Sequence, residues 1–334
     1  MQGRCAHTQI AFFGGSFTAI PQAEQLELLR VAAAHCGPGG FAGIRVSTRP
    51  DCIDQAVLQR LREHNVLAIE LGVQSMDDAV LAANRRGHTA EDAVSASRLI
   101  RAYGFELGHQ MMVGMYKDRP GGAQETARAL AALKPDTVRI YPVMVLPETP
   151  LEQLYRAGRY APLALEQAVD VCAELLEFFT AQGIRVIRLG LQDTPDLRRA
   201  VAGVRHPAFR ELCESRILLQ RARDKLENPT GLAAPKNGKK AAALPDLPES
   251  ATPPRRPAVV WVGRSQLSAM VGQKGANRKA LADAGWDVKI CTDQTLGYLQ
   301  VRAEHTQQTA QTPREGKGHA VAGTGDTGVQ VFPG

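Results

Sequence analysis

The sequence has no apolar run near the roughly 20 residues that a membrane span requires, and its N-terminus lacks a basic start followed by an apolar stretch. These absences predict a cytoplasmic chain without a membrane partner. Cysteine is sparse and scattered: Cys5, Cys36, Cys52, Cys172, Cys213 and Cys291 form no CxxC pair and no close ligand spacing. They are expected to be reduced thiols, mostly buried. A Schiff-base lysine is also missing from the strand ends, since the one lysine near them, Lys117, falls in a loop. This argues against aldolase-type chemistry.

What is present is 334 residues, enough for one barrel-sized domain or two smaller ones. The net charge of +6 is unevenly spread. Residues 1–195 carry 19 basic and 21 acidic side chains, whereas 196–334 carry 21 and 13. The second half is therefore the candidate for a polyanionic partner, although the pairs Lys239–Lys240 and Arg255–Arg256 also suit a solvated basic tail.

The stretch that organises the chain is QIAFFGGSFT at 9–18. Its unalternating apolar run suits a strand covered on both faces, as in a parallel sheet or barrel. Gly14 and Gly15 then leave the backbone bare. Such a pair serves either a tight strand-to-helix turn or the close approach of a ligand. Further strands are expected over 43–48, 68–75, 106–113, 137–145 and 184–191, alternating with helices over 22–35, 54–63, 76–84, 89–103, 121–133 and 163–182. This alternation predicts an α/β fold with a parallel sheet, open or rolled into a barrel. Polar residues collect at the strand ends: Ser16, Arg49, Glu70, Gln74, Ser75, Gln110 and Arg139. Core packing alone would ask for apolar residues there, so these are read as one mouth. Glu70 and Gln74, four apart, are expected to share a side of their strand.

The motifs AFFGGSFT (11–18), STRPD (47–51), ELGVQS (70–75), RGHT (86–89), HQMM (109–112) and RIYPVMV (139–145) occur in this order. LYRAGRYAPL (154–163) and HPAFRELCESRI (206–217) follow. Together they resemble the radical S-adenosylmethionine (radical SAM) enzymes, in the branch of the Elongator catalytic subunit. The resemblance implies a partial (βα)6 barrel, TIM-like, whose mouth holds a 4Fe–4S cluster and S-adenosylmethionine. It implies reductive cleavage of that cofactor to a 5′-deoxyadenosyl radical, an external electron donor, and RNA, specifically the tRNA wobble uridine, as substrate. Carried over, Gly14, Gly15 and Ser16 would hold the methionyl amino group, and Ser47 and Arg49 the carboxylate or ribose. Glu70 and Gln74 would sit near the ribose or substrate, and Gln110 would face the adenosine.

The family's CxxxCxxC loop, three thiolates that leave one iron open, has no counterpart here. Only eight residues precede Gln9, and Cys5 stands alone. The chain as printed is expected to lack the first barrel strand, to expose the sheet edge beside 9–13 and to be inactive. Either its start is placed too far downstream, the reading favoured by the intact strand ends, or it is a fragment that lost its cluster. In the second case it would be a non-catalytic RNA-binding protein with a remnant barrel. The family's acetyltransferase domain is likewise not seen, so acetyl transfer is not implied.

The domain plan is a lead-in (1–8), a barrel (9–226), a disordered linker (227–257), a small module (258–303) and a disordered tail (304–334). The module reads as strand 258–262, helix 265–271, loop GQKG at 272–275, helix 276–284, and strands 288–292 and 298–302. This order resembles the α+β KH module, whose GxxG loop clamps single-stranded nucleic-acid backbone. Gly272, Lys274, Gly275, Arg278 and Lys279 are its candidate RNA contacts, with a structural cap as the alternative reading.

Overall fold

The structure is a computed structural model and describes residues 5–192, 194–228 and 255–306. In the N-terminal region the strands are β1 (Gln9–Phe12), β2 (Gly43–Thr48), β3 (Val66–Gln74), β4 (Glu106–Val113), β5 (Thr137–Pro142), β6 (Met144–Val145), β7 (Arg185–Leu189) and β8 (Ala202–Gly203). Six of them form one sheet in the order β1-β2-β3-β4-β5-β7, with every neighbouring pair parallel. Parallel strands need helical crossovers, and the sequence supplies them with clear stops and starts. Asp54 accepts from the Val57 N–H at 2.7 Å to begin the Gln55–Glu63 helix. Thr89 and Asp92 form a reciprocal capping box at the start of Ala90–Ala102.

Helices and sheet enclose a core that includes Ile44, Leu58, Leu61, Ile69, Leu71, Leu107 and Ile140, all fully buried. The expected exposed edge is present: β1 closes one side of the sheet, with Ala11 and Phe13 open to solvent. The strand expected over 137–145 is instead two elements. Pro142 has no N–H to continue the ladder, and the chain turns out at Val143, after which β6 pairs antiparallel with β8. The cysteines also depart from expectation, since only Cys172 and Cys213 are buried.

The Phe209–Glu227 helix was not anticipated from periodicity, and it decides how the C-terminal region is placed. One side packs on the Leu165–Ala181 helix, and the other meets the module built from β9 (Arg256–Val262), β10 (Trp286–Thr292), β11 (Val301–His305) and the helices Leu267–Val271 and Ala276–Asp283. In that module β9 is central, parallel to β10 and antiparallel to β11. Asn277, buried, donates to the Ser215 carbonyl (3.0 Å) and hydroxyl (2.9 Å) across the joint. Arg221 donates to the Leu299 carbonyl at 2.6 Å. The module is therefore docked on the barrel, and one apolar cluster runs through both.

The last strand, expected over 298–302, is β11. Tyr298 belongs to the joint, where its hydroxyl donates to Glu214 at 2.6 Å. β11 also runs past the expected tail boundary, ending at His305 against the Leu226 carbonyl. The disordered linker expected over 227–257 is shorter at both ends, because Glu227 closes a helix and Arg256 and Pro257 begin β9. The linker and tail readings otherwise fall on 229–254 and 307–334, outside the described residues, as do residues 1–4 of the lead-in. Among the described residues no helix is long and apolar enough to cross a membrane.

A buried histidine within HQMM gives the fold a defined response to acid. The Ser97 hydroxyl donates to the Ala93 carbonyl at 2.6 Å, so His109 Nε2–H donates to Ser97 Oγ at 2.9 Å. Burial pushes the His109 imidazolium down from 6.5 to about 3. The unfolded chain thus binds a proton that the native protein refuses. The His109 contribution is intact above pH 6.5 and is lost as pH falls toward 3, at about 1.4 kcal/mol per pH unit. Urea titrations at several pH values should show His109→Leu removing that slope. A variant as acid-sensitive as the parent would refute it.

Candidate functional site

All six strands of the main sheet end at one cavity of about 670 Å³. Phe13 and Gly14, just after β1, and Arg188 from β7 line it together although β1 and β7 are opposite edges of the sheet. At about 4.8 Å per strand, a flat sheet would hold these edges about 24 Å apart. The sheet is therefore curled into an open barrel, with the cavity at its C-terminal mouth.

Seven residues expected to hold the cofactor line this mouth: Gly14, Gly15, Ser16, Ser47, Arg49, Gln74 and Gln110. Gly14 takes φ 107°, which favours glycine, and a Cβ built on either Gly14 or Gly15 would meet nothing within 4 Å. The bare backbone therefore opens into the cavity itself. Gln74 is 7 % exposed, and its Oε1 has no partner, so a buried acceptor awaits a donor. It is reached by a register slip after Leu71 and a left-handed φ of 68° at Gln74 itself, which interrupt the even alternation expected between Glu70 and Gln74.

Glu70 lies beneath the mouth, 1 % exposed, and does not line it. Arg139 grips it with two hydrogen bonds of 2.7 and 2.9 Å, and Arg45 adds a third at 3.3 Å. Gln110 donates to it at 3.2 Å and Ser47 at 3.4 Å. Burial opposes the Arg139 charge, yet the Glu70 hydrogen bond and charge hold its pKa above the ordinary guanidinium value. Gly108 is the register partner of Glu70 on β4, and a Cβ there would come within 2.8 Å of the Glu70 Cγ. The glycine makes room for the carboxylate. Glu70 thus positions the floor, and β2 to β5 are tied together by it.

Arg49 lines the mouth with part of its guanidinium already engaged by the protein. Its Nε and Nη2 are taken by Asp51 at 2.9 and 2.5 Å, and Nη2 also reaches the Gly87 carbonyl. The planar fork is therefore already engaged. The cation the sequence reading missed is Arg86, within RGHT: it lines the mouth and its Nε is buried without a partner. Burial first, then the nearby Arg49 charge, lower its pKa. Arg188 and Tyr141 were also missed. Both fall inside expected strands, 137–145 and 184–191, and only the curl of the sheet brings them to the cavity. Ser75 does not belong to the mouth, because its hydroxyl accepts from the Asp77 N–H in the turn that follows β3.

Residues 4–130 match the model of the radical SAM superfamily, and 135–218 match that of the radical SAM C-terminal domain. The chain belongs to the radical SAM superfamily. Within the superfamily it is Elongator-like. It is 32 % identical over 160 residues to the tRNA uridine(34) acetyltransferase of Dehalococcoides mccartyi, covering 46 % of this chain and 34 % of that protein. It is 29 % identical over 180 residues to human Elongator complex protein 3, covering 52 % of this chain and 32 % of the relative. The chain thus spans about a third of the length of these radical SAM relatives. Among solved structures, Methanocaldococcus infernus Elp3 with an N-terminal deletion matches with a TM-score of 0.58 at 20 % identity, over 67 % of this chain and 59 % of that one. This likeness supports the partial-barrel fold.

Radical SAM proteins use S-adenosylmethionine with a 4Fe–4S cluster. The mouth fits the first of these: a bare glycine edge borders a cavity of suitable size, and its wall holds an unpartnered amide oxygen of Gln74 and an unpartnered guanidinium nitrogen of Arg86. The described residues do not fit the second. They bring no group of three metal-ligating side chains together, and all six cysteines are free thiols.

The module's basic residues also converge. Lys274, Gly275, Arg278 and Lys279 line a second cavity of about 510 Å³ together with Arg255, over a floor of Trp286 and Val288. Gly272 is not among its lining residues. It takes φ 76°, and a Cβ there would come within 2.8 Å of the Asn277 backbone nitrogen, so this glycine shapes the loop.

Proposed function

We propose that this radical SAM protein binds S-adenosylmethionine at the barrel mouth and single-stranded RNA at the GQKG cleft, as part of an RNA-modifying reaction on a tRNA wobble uridine. One observation carries the reading: the glycine edge, Gln74 and Arg86 line a single cavity, and Gln74 Oε1 and Arg86 Nε in its wall have no partner. Gly14 and Gly15 let the amino-acid end of the cofactor approach main-chain carbonyls. Ser16 and Ser47 offer hydroxyls, Gln74 accepts from the ribose or amine, and Arg86 offers donors to the carboxylate. Gln110, anchored on Glu70, borders the adenosine side. At the module, Lys274, Arg278 and Lys279 supply the positive charge, and the KH-like loop the close approach, for a phosphate backbone.

Reductive cleavage to the 5′-deoxyadenosyl radical needs three thiolates that the described residues do not assemble. That same scatter of cysteines favours a second reading, in which the protein binds cofactor and RNA without turnover. Anaerobic reconstitution with iron and sulfide separates the two: a cluster spectrum with cofactor cleavage supports the first, and its lack supports the second.

Cofactor uptake is tested by Gly15→Val. Gly15 lies outside the left-handed region, and a Cβ there has open space around it. The branched group should fill the cradle without disturbing the fold. Calorimetry should show at least about tenfold weaker binding of S-adenosylmethionine, the scale of about 1.4 kcal/mol, with an unchanged melting temperature. Full-strength binding by this variant would exclude the mouth as the site.

A further inference from the structure

We propose that a second cavity beside the mouth receives a base of the RNA strand, with the flanking phosphates held by a rim of unpaired cations. The inference rests on the RNA reading above and extends it to the barrel. The cavity measures about 1000 Å³, and Arg86 lines both it and the mouth. An occupant would therefore sit next to the bound cofactor.

Its chemistry selects the occupant. The floor is apolar and thioether-rich, formed by Met112, Met115, Val143, Met144, Leu151 and Leu154. Methionine side chains adapt to flat polarizable surfaces such as a nucleobase. Around the floor stand Arg85, Lys117 and Arg159, all exposed, and no carboxylate lines the cavity. None of the three has an ion-pair partner among the described residues. A neutral metabolite would leave these charges unused, and an inorganic anion would leave the floor uncovered. A nucleotide of a single strand answers both.

The walls are held in place before any ligand arrives. Asn84 donates to the Tyr116 carbonyl at 2.8 Å and accepts from the Tyr116 N–H at 3.2 Å, which fastens two loops to each other. Arg85 and Lys117 are the next residues in those loops, and each adopts a left-handed φ, 52° and 62°. The Tyr160 hydroxyl donates to the Gly114 carbonyl at 2.7 Å, and its ring meets Tyr116 edge-on. The cations are thus presented by a fixed frame, which lowers the ordering cost of binding.

Fluorescence anisotropy on the full chain tests this, using single-stranded RNA of roughly ten nucleotides and a ribose-phosphate strand of equal length without bases. The parent should prefer the base-bearing strand by about tenfold. Met144→Gln combined with Leu154→Gln should erase most of that preference while leaving affinity for the base-free strand. Arg85→Gln with Arg159→Gln should weaken both strands and lower the salt slope by about two. As a measurement independent of variants, 4-thiouridine RNA should cross-link to the peptide spanning 112–117 or 144–159. An unchanged base preference and salt slope, or cross-links confined to the module, would overturn the proposal. Lys274→Gln with Arg278→Gln distinguishes its failure from that of the underlying reading. If this pair weakens binding and the cavity variants do not, only the second-cavity proposal falls. If the parent binds neither strand, the RNA reading falls with it.

Discussion

Glu70→Gln should destabilise the protein by about 3–5 kcal/mol in urea titrations, although the substitution changes almost no volume. The carboxylate is 1 % exposed and neutralises Arg139 and Arg45, whose side chains are 15 % and 11 % exposed. Removing it strands guanidinium charge in the wall of the barrel, and the desolvation already incurred is no longer offset. Only Glu106, at 2.8 Å from Arg45, remains as a carboxylate partner within that network. The comparison that decides the point is Asp51→Asn, which breaks an exposed pair with Arg49, 39 % and 28 % exposed. Solvent screening limits that loss to at most about 1 kcal/mol. Equal effects from the two substitutions would show that the Glu70 network is not a buried electrostatic tie. The same variant should also loosen the mouth, because Gln110, Ser47 and Arg139 are left to share one amide oxygen in place of two carboxylate oxygens. Cofactor binding should therefore weaken in step with stability, unlike Gly15→Val, in which only binding is lost.

Trp286→Ala should cost about 3–5 kcal/mol in the C-terminal module and abolish the RNA binding proposed for it. Trp286 is 1 % exposed, with the Arg256 guanidinium 3.7 Å from its ring centroid and the His305 ring at 4.9 Å. Its loss removes the largest buried side chain of the module and the floor of the basic cleft. Limited proteolysis should cut the module early, while calorimetry still detects S-adenosylmethionine binding at the distant mouth. Simultaneous loss of cofactor uptake would show instead that the Phe209–Glu227 helix makes barrel and module one cooperative unit. That outcome would contradict the assignment of separate duties to them.

The alternation of apolar runs with capped amphipathic segments was enough to determine the parallel α/β sheet, because helical crossovers are the only short route between parallel strands. Glycines and polar residues at strand ends also marked the mouth, since a core has no use for them. What the sequence did not contain is which of those polar groups are already satisfied. Arg49 and Glu70 look like ligand contacts in one dimension, but folding hands Arg49 to Asp51 and sinks Glu70 between two arginines. Arg86 looks like a surface residue after a short helix, yet the turn sets it in the wall of the mouth with its Nε buried and unpartnered. Likewise, the spacing of GQKG announced a basic loop, while the docking of its module through Asn277, Tyr298 and Arg221 depends on partners some 60 to 85 residues away. Local pattern determines which elements form, because it acts through neighbours along the chain. The state of each polar group is decided by long-range contacts, which exist only once the sheet has curled and the last helix has packed.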